Sequence, residues 1–210
     1  MLISTIQDLP GKEEAKQFRS SPSAQDVNFT VKFFPYQLYP DASKEGEDKY
    51  KKTKYNDSED QMKKYTLLMS AYGVPVGIDF KFGGTVANTM DAHRLIQHYQ
   101  EEMGPEVADK IVNSLYEQYF TQEKHPSSTE TLLKAATDAG IEKTDAENFI
   151  GDEYEGLQDT KMLMQEQRGN GIDAVPYVVL EGKRRDFTLE GAKEMDEYLK
   201  EMEKLVKETK

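Results

Sequence analysis

Two clusters hold the residue types in this chain best able to do chemistry: Val175-Pro176-Tyr177 and the helix-opening run Asn88-Thr89-Met90-Asp91-Ala92-His93-Arg94. His93 can serve as a general base, because imidazole titrates near neutral pH. Its position about one turn before Ile96, on the apolar side of the predicted helix, equally suits a buried ring hydrogen-bonded to its surroundings. Asn88, Thr89 and Arg94 stand where a helix start offers N–H groups and the positive end of its dipole, a seat for a carboxylate or phenolate. Simple capping is the plainer alternative. Tyr36, Phe82 and Tyr177 fall near ends of predicted extended segments, where aromatic rings either wall a pocket or fill core. Lys183-Arg184-Arg185 suits an anionic ligand or an ordinary solvated hairpin. His98 and His125 read as surface residues, and the three histidines lack the spacing of a zinc site.

The chain has no Cys among its 210 residues, which excludes disulfides, CxxC redox chemistry, thiolate nucleophiles and Cys–zinc sites. A net charge of −12 argues against a nucleic-acid partner, whose phosphates attract Lys and Arg. Apolar runs such as 175–180 fall far short of the ~20 residues of a membrane span, so no membrane partner is expected. Met1-Leu2-Ile3-Ser4-Thr5-Ile6 lacks the basic flank and long apolar region of a secretory signal, which makes the cytosol the expected compartment.

The elements that must position those residues follow from pattern. A short apolar stretch at 2–6 and a brief helix from Lys12 to Phe18 are predicted first, then a strand over Asn28 to Phe34 with two buried faces. The charged stretch 43–54 follows, with Tyr50 and Tyr55 as packing residues. A helix over Ser58 to Tyr72 ends at Gly73, expected as a C′ residue, before an alternating arm at Ile78 to Phe82. Helices are predicted from Asn88 or Thr89, over Glu106 to Phe120, after the capping-box run at 127–130, after Thr144, and over Glu153 to Arg168. Tyr177 to Leu180 is a predicted strand, turning at Glu181-Gly182-Lys183 into a partner ending near Phe187. Thr188 then caps a terminal amphipathic helix. This order predicts an α/β chain in which a helical block, residues 41–170, is inserted in a small sheet unit formed by 1–40 and 171–210.

Three segments carry a resemblance. Phe34-Pro35-Tyr36-Gln37-Leu38-Tyr39-Pro40-Asp41 resembles the aromatic–Pro–x–x–Leu–x–Pro run of FrnE-like proteins. The run from Asn88 to Ile96 is similar to the one that opens their helical insertion, and 171–177 resembles the loop of DsbA-like proteins whose proline is cis. The resemblance implies a thioredoxin-like fold with a helical insertion and a cis Val175–Pro176 bond. Oxidoreductases of this group carry CxxC where this chain has Ile6-Gln7-Asp8-Leu9-Pro10-Gly11-Lys12, so the cysteine turn reads as deleted. The branch of 2-hydroxychromene-2-carboxylate isomerases and kappa-class glutathione transferases uses a Ser there, and this chain has none at that turn.

The expectation is therefore a non-redox protein acting on an aromatic or polyketide-type small molecule, by isomerisation or cyclisation in secondary metabolism. Alternatives are a catalytically silent binding protein and a glutathione-dependent isomerase or transferase. No cofactor is expected, glutathione being the one admissible, and a homodimer is compatible with the sequence. The expected site lies between Val175-Pro176 and Asn88 to Arg94, with Tyr36 and Phe82 on its walls.

Overall fold

Serines and glycines at helix ends set the architecture. The computed structural model describes residues 30–49 and 58–209. It runs β1 (Glu47–Asp48), α1 (Glu59–Gly73), β2 (Thr85–Val86), α2 (Met90–Met103), α3 (Pro105–Phe120), α4 (Thr129–Asp138), α5 (Lys143–Gly151), α6 (Leu157–Gly169), β3 (Tyr177–Leu180), β4 (Phe187–Glu190) and α7 (Met195–Thr209). The expected elements over 2–18, the turn at Asp8 to Lys12, and Tyr50 and Tyr55 lie outside the described residues. Ser58 caps α1 by accepting from the Gln61 N–H at 3.3 Å, and Ser128 caps α4 by accepting from the Thr131 N–H at 3.2 Å.

The main core is helical. α2 packs on α3, α3 on α4, α4 on α5, and α6 returns to α2. Leu95 and Ile111 are fully buried together with Ala108, Ala135, Ala136 and Ala146, small side chains that let the helix backbones approach closely. A second apolar cluster joins Tyr198, Met202 and Val206 of α7 to Leu189, Val178 and Leu180 of the β3–β4 hairpin. Each fully buried Leu, Met or Val there contributes about 1.5–3 kcal/mol of apolar transfer. The hairpin is antiparallel, with Tyr177 opposite Glu190 and Leu180 opposite Phe187. β1 pairs antiparallel with β2, Glu47 opposite Val86. No helix among the described residues is long and apolar enough to cross a membrane.

The structure departs from the sequence expectations in several places. Residues 30–34 form no strand among the described residues, and only Phe33 of the Phe33-Phe34 pair is buried. The reason is a substitute for the ladder: the Gln100 amide accepts from the Phe33 N–H at 2.8 Å and donates to its carbonyl at 2.9 Å, and Gln97 donates to the same carbonyl at 3.0 Å. Gly73 is helical, not left-handed. It is required because a Cβ there would stand 2.4 Å from the Ile78 carbonyl, while Gly77, at φ +77°, makes the turn. α6 starts at Leu157, later than expected, because Asp152 accepts from the Tyr154 and Glu155 N–H groups and Gly156 takes a left-handed conformation. α5 starts at Lys143, one residue before the predicted cap Thr144. The turn between β3 and β4 spans 181–186, so Thr188 lies within β4 and α7 begins at Met195.

Candidate functional site

The start of α2 is built by Asn88. Its side-chain oxygen accepts from the Met90 N–H at 2.9 Å and from the Gln37 amide at 2.8 Å, and its nitrogen donates to the Pro40 carbonyl at 3.1 Å. Asn88 therefore caps the helix and fastens the segment 37–40 across it. Thr89, the N-cap residue by backbone geometry, makes no capping bond with its side chain.

Arg94 turns inward. With 1% of its surface exposed, it pairs with Asp91 at 3.1 Å, donates to the carbonyls of Asp152 (2.9 Å) and Glu155, and lies over the Phe149 ring. Its guanidinium joins α2 to the loop before α6, away from the ligand seat expected for it. His98, expected at the surface, is half-buried: it stacks on Phe149 at 4.2 Å. His93 is 2% exposed, and burial holds its imidazole well below the usual range, with a hydrogen bond from the ring to the Tyr36 backbone pulling the other way.

Val175–Pro176 is cis, and the Pro176 carbonyl accepts from the Gly191 N–H at 2.8 Å. Tyr177 opens β3. Tyr36 bridges the two predicted clusters. Its hydroxyl donates to the Asp173 carbonyl in the cis-proline loop, and its backbone faces His93. Lys183 and Arg184 are exposed on the hairpin turn, and Arg185 pairs with Glu208 of α7.

Two cavities flank the start of α2. The smaller, about 30 Å³, is lined by Phe33, His93, Ile96, Val112, Leu115 and their neighbours. The larger, about 240 Å³, is walled by the rings of Tyr39, Tyr65, Phe80, Phe82, Tyr119 and Phe120, with Lys49 and Met69. Thr89, Tyr119 and Pro126 line both, so the two spaces adjoin. Of the sequence-predicted site residues, Phe82 and Thr89 meet at the larger cavity and Thr89 and His93 at the smaller; Val175, Pro176 and Tyr177 line neither.

Lys49, only 6% exposed, places its ammonium 3.7 Å from the centre of the Tyr119 ring and donates to the Tyr119 carbonyl at 3.4 Å. Burial pushes the Tyr119 phenol up to about 12, with Tyr39 and Tyr65 adding to the rise. The arrangement can hold a flat ring against aromatic walls, with a cation at the margin. Lys49, Tyr65 and Tyr119 were not legible as site residues. They meet only because β1 pairs with β2 and the arm 78–82 runs along the end of α3, where the Lys81 N–H donates to the Phe120 carbonyl at 2.8 Å.

A family model described as a DSBA-like thioredoxin domain matches residues 15–203. No curated protein matches the sequence. Among solved structures, a probable DsbA oxidoreductase from Streptomyces coelicolor is similar over 95% of this chain and 84% of its own, at 19% identity and a TM-score of 0.77. A candidate protein disulfide isomerase from Nitrosomonas europaea is similar over 94% of this chain and 90% of its own, at 13% identity and a TM-score of 0.63. At such identities these two likenesses speak for the fold, and they agree with the α/β thioredoxin-like architecture carrying a helical insertion. The matched domain spans most of the sequence, and the chain belongs to the DsbA-like thioredoxin domain family.

Proposed function

We propose that this chain is a redox-silent DsbA-like protein that binds a flat aromatic small molecule in the larger cavity beside the start of α2. The observation that carries the reading is that cavity, about 240 Å³ and walled by six aromatic rings, Phe82 among them, with Thr89 also in its lining. Thiol–disulfide exchange needs a thiolate to attack a disulfide sulfur, and the sequence holds no cysteine. The likeness of its motifs to FrnE-like proteins and their isomerase relatives supports an aromatic or polyketide-type ligand over a peptide. Isomerisation or cyclisation of that ligand is the reaction class that fits, since it asks the protein for proton transfer and no redox group. The binding test is a thermal-shift panel of phenols, aromatic acids and glutathione. A ligand at a hundredfold excess over Kd stabilises the fold by about 2.7 kcal/mol. Phe82→Ala is expected to shrink the aromatic-induced shift and leave the unliganded protein folded. A shift from glutathione alone would favour the glutathione-dependent alternative, and no shift from any aromatic would overturn the reading.

A further inference from the structure

His93 lies on the buried side of α2 among Ala92, Leu95 and Ile96. A neutral imidazole has one N–H and one lone pair, and the hydrogen bond each nitrogen makes decides which is which. The Tyr36 backbone takes up one side of the ring, in a bond that favours a proton there. The other nitrogen, Nε2, is buried and has no hydrogen-bond partner among the described residues. Buried polar atoms in folded proteins are nearly always paired, so an acceptor in this position implies a donor that reaches it.

The small cavity beside His93 is mostly hydrocarbon and measures about 30 Å³, room for a hydroxyl but not for a ring. It adjoins the larger cavity at Thr89, Tyr119 and Pro126. A ring seated between Phe82 and Tyr119 can therefore send a substituent past Thr89 towards the imidazole. A water in the small cavity is the competing partner. Buried waters typically make about three hydrogen bonds, and this lining offers few besides Nε2.

We infer that His93 Nε2 accepts a hydrogen bond from the hydroxyl of a phenolic ligand whose ring occupies the larger cavity, so that the ligand is a hydroxyaromatic rather than an aryl carboxylate or aryl ether. The inference rests on the cavity reading above and adds the ligand class and the residue that selects it. A lone-pair acceptor rewards a donor and nothing else. An ionised carboxylate has no proton to give, and an ether has none at all.

Calorimetric titration of the full chain with 2-naphthol, 2-methoxynaphthalene and 2-naphthoate tests it. 2-Naphthol is expected to bind roughly tenfold more tightly than its methyl ether, with the carboxylate weaker than the naphthol. In His93→Leu that preference falls to within about twofold, because the ring still fits and the acceptor is gone. Equal binding of naphthol and ether by the wild type, or a preference that survives His93→Leu, overturns the inference and leaves the cavity reading standing. Binding of none of the three overturns both. Should His93→Leu not fold, long-range proton–nitrogen NMR of the wild-type imidazole decides the matter. Nε2 should carry the signature of an unprotonated nitrogen and move on addition of 2-naphthol but not of the ether. A resonance that stays fixed at saturating naphthol would refute the assignment.

Discussion

Arg94 and His93 are neighbours on α2, both buried, and they answer burial in opposite ways. Arginine cannot shed its proton, so its charge is tolerable only with partners on every side, and Asp91, two carbonyls and the Phe149 ring supply them. Arg94→Leu leaves Asp91 and those carbonyls short of a donor. Urea denaturation should show a loss of roughly 3 kcal/mol; a loss under about 0.5 kcal/mol would be the size of an ordinary surface substitution and would contradict a structural role. Histidine can shed its proton, and burial makes it do so. The unfolded chain then binds more protons than the folded one between the ordinary value of 6.5 and the lower folded value. Stability is full above that window and falls as pH drops through it, by up to about 1.4 kcal/mol per pH unit. Asp138 adds its own acid loss lower down. Lys134 and Ser114 hold its carboxyl below 3.8, so its contribution is full above 3.8 and is lost as pH falls from there through the lower folded value. Denaturation curves at pH 7.5 and 5.5 should differ for the wild type and converge for His93→Leu. Equal slopes in the two proteins would refute the assignment to His93.

At the scale of elements, the glutamines of α2 do what a strand partner would otherwise do for Phe33. Gln100→Leu strips the Phe33 N–H of its acceptor and its carbonyl of one of the two donors it has among the described residues, so a loss of about 1–3 kcal/mol is expected in thermal or urea unfolding. No change would mean that the segment draws its backbone bonds from elsewhere. This same contact explains what the sequence concealed. Phe33-Phe34 reads as a doubly buried strand because apolar runs look alike whether a sheet or a helix covers them. Nothing local announces that Gln97 and Gln100, more than sixty residues on, will take the backbone bonds. Features with local causes were legible: a helix opening at Ser58, a helix after the capping-box run 127–130 (capped by Ser128, one residue later than the box spacing from Ser127 to Glu130 implies), the break at Gly104-Pro105, and the strand Tyr177 to Leu180. The length of the turn after Leu180 was not. It depends on α7 packing against the hairpin, where a Cβ on Gly182 would stand 2.3 Å from Leu205.

At the scale of the molecule, the fold was readable from motifs spread along the chain, and the site was readable only in part. Thr89 and His93 come from the motif-bearing stretch, Phe82 from the predicted arm before it, and all three line cavities. Lys49 lies in a charged stretch with no pattern of its own, and its burial is decided by Tyr119 and Phe120 from the far end of α3. A thioredoxin-like fold without cysteine keeps the shape of a thiol enzyme and loses its chemistry. In an insulin-reduction assay the pure, metal-free protein should match a Cys-free control, and turnover above that control would contradict a redox-silent role.

The proposed function places ligand binding in the aromatic cavity at the start of α2. The most direct measurement is a backbone amide chemical-shift map of the full chain titrated with 2-naphthol. Saturable shifts are expected at Lys49, Phe80 to Phe82, Thr89 and Tyr119, residues that wall that cavity. Shifts gathered instead at Val175 to Tyr177 with the cavity residues unmoved, or no saturable shifts anywhere, would contradict it.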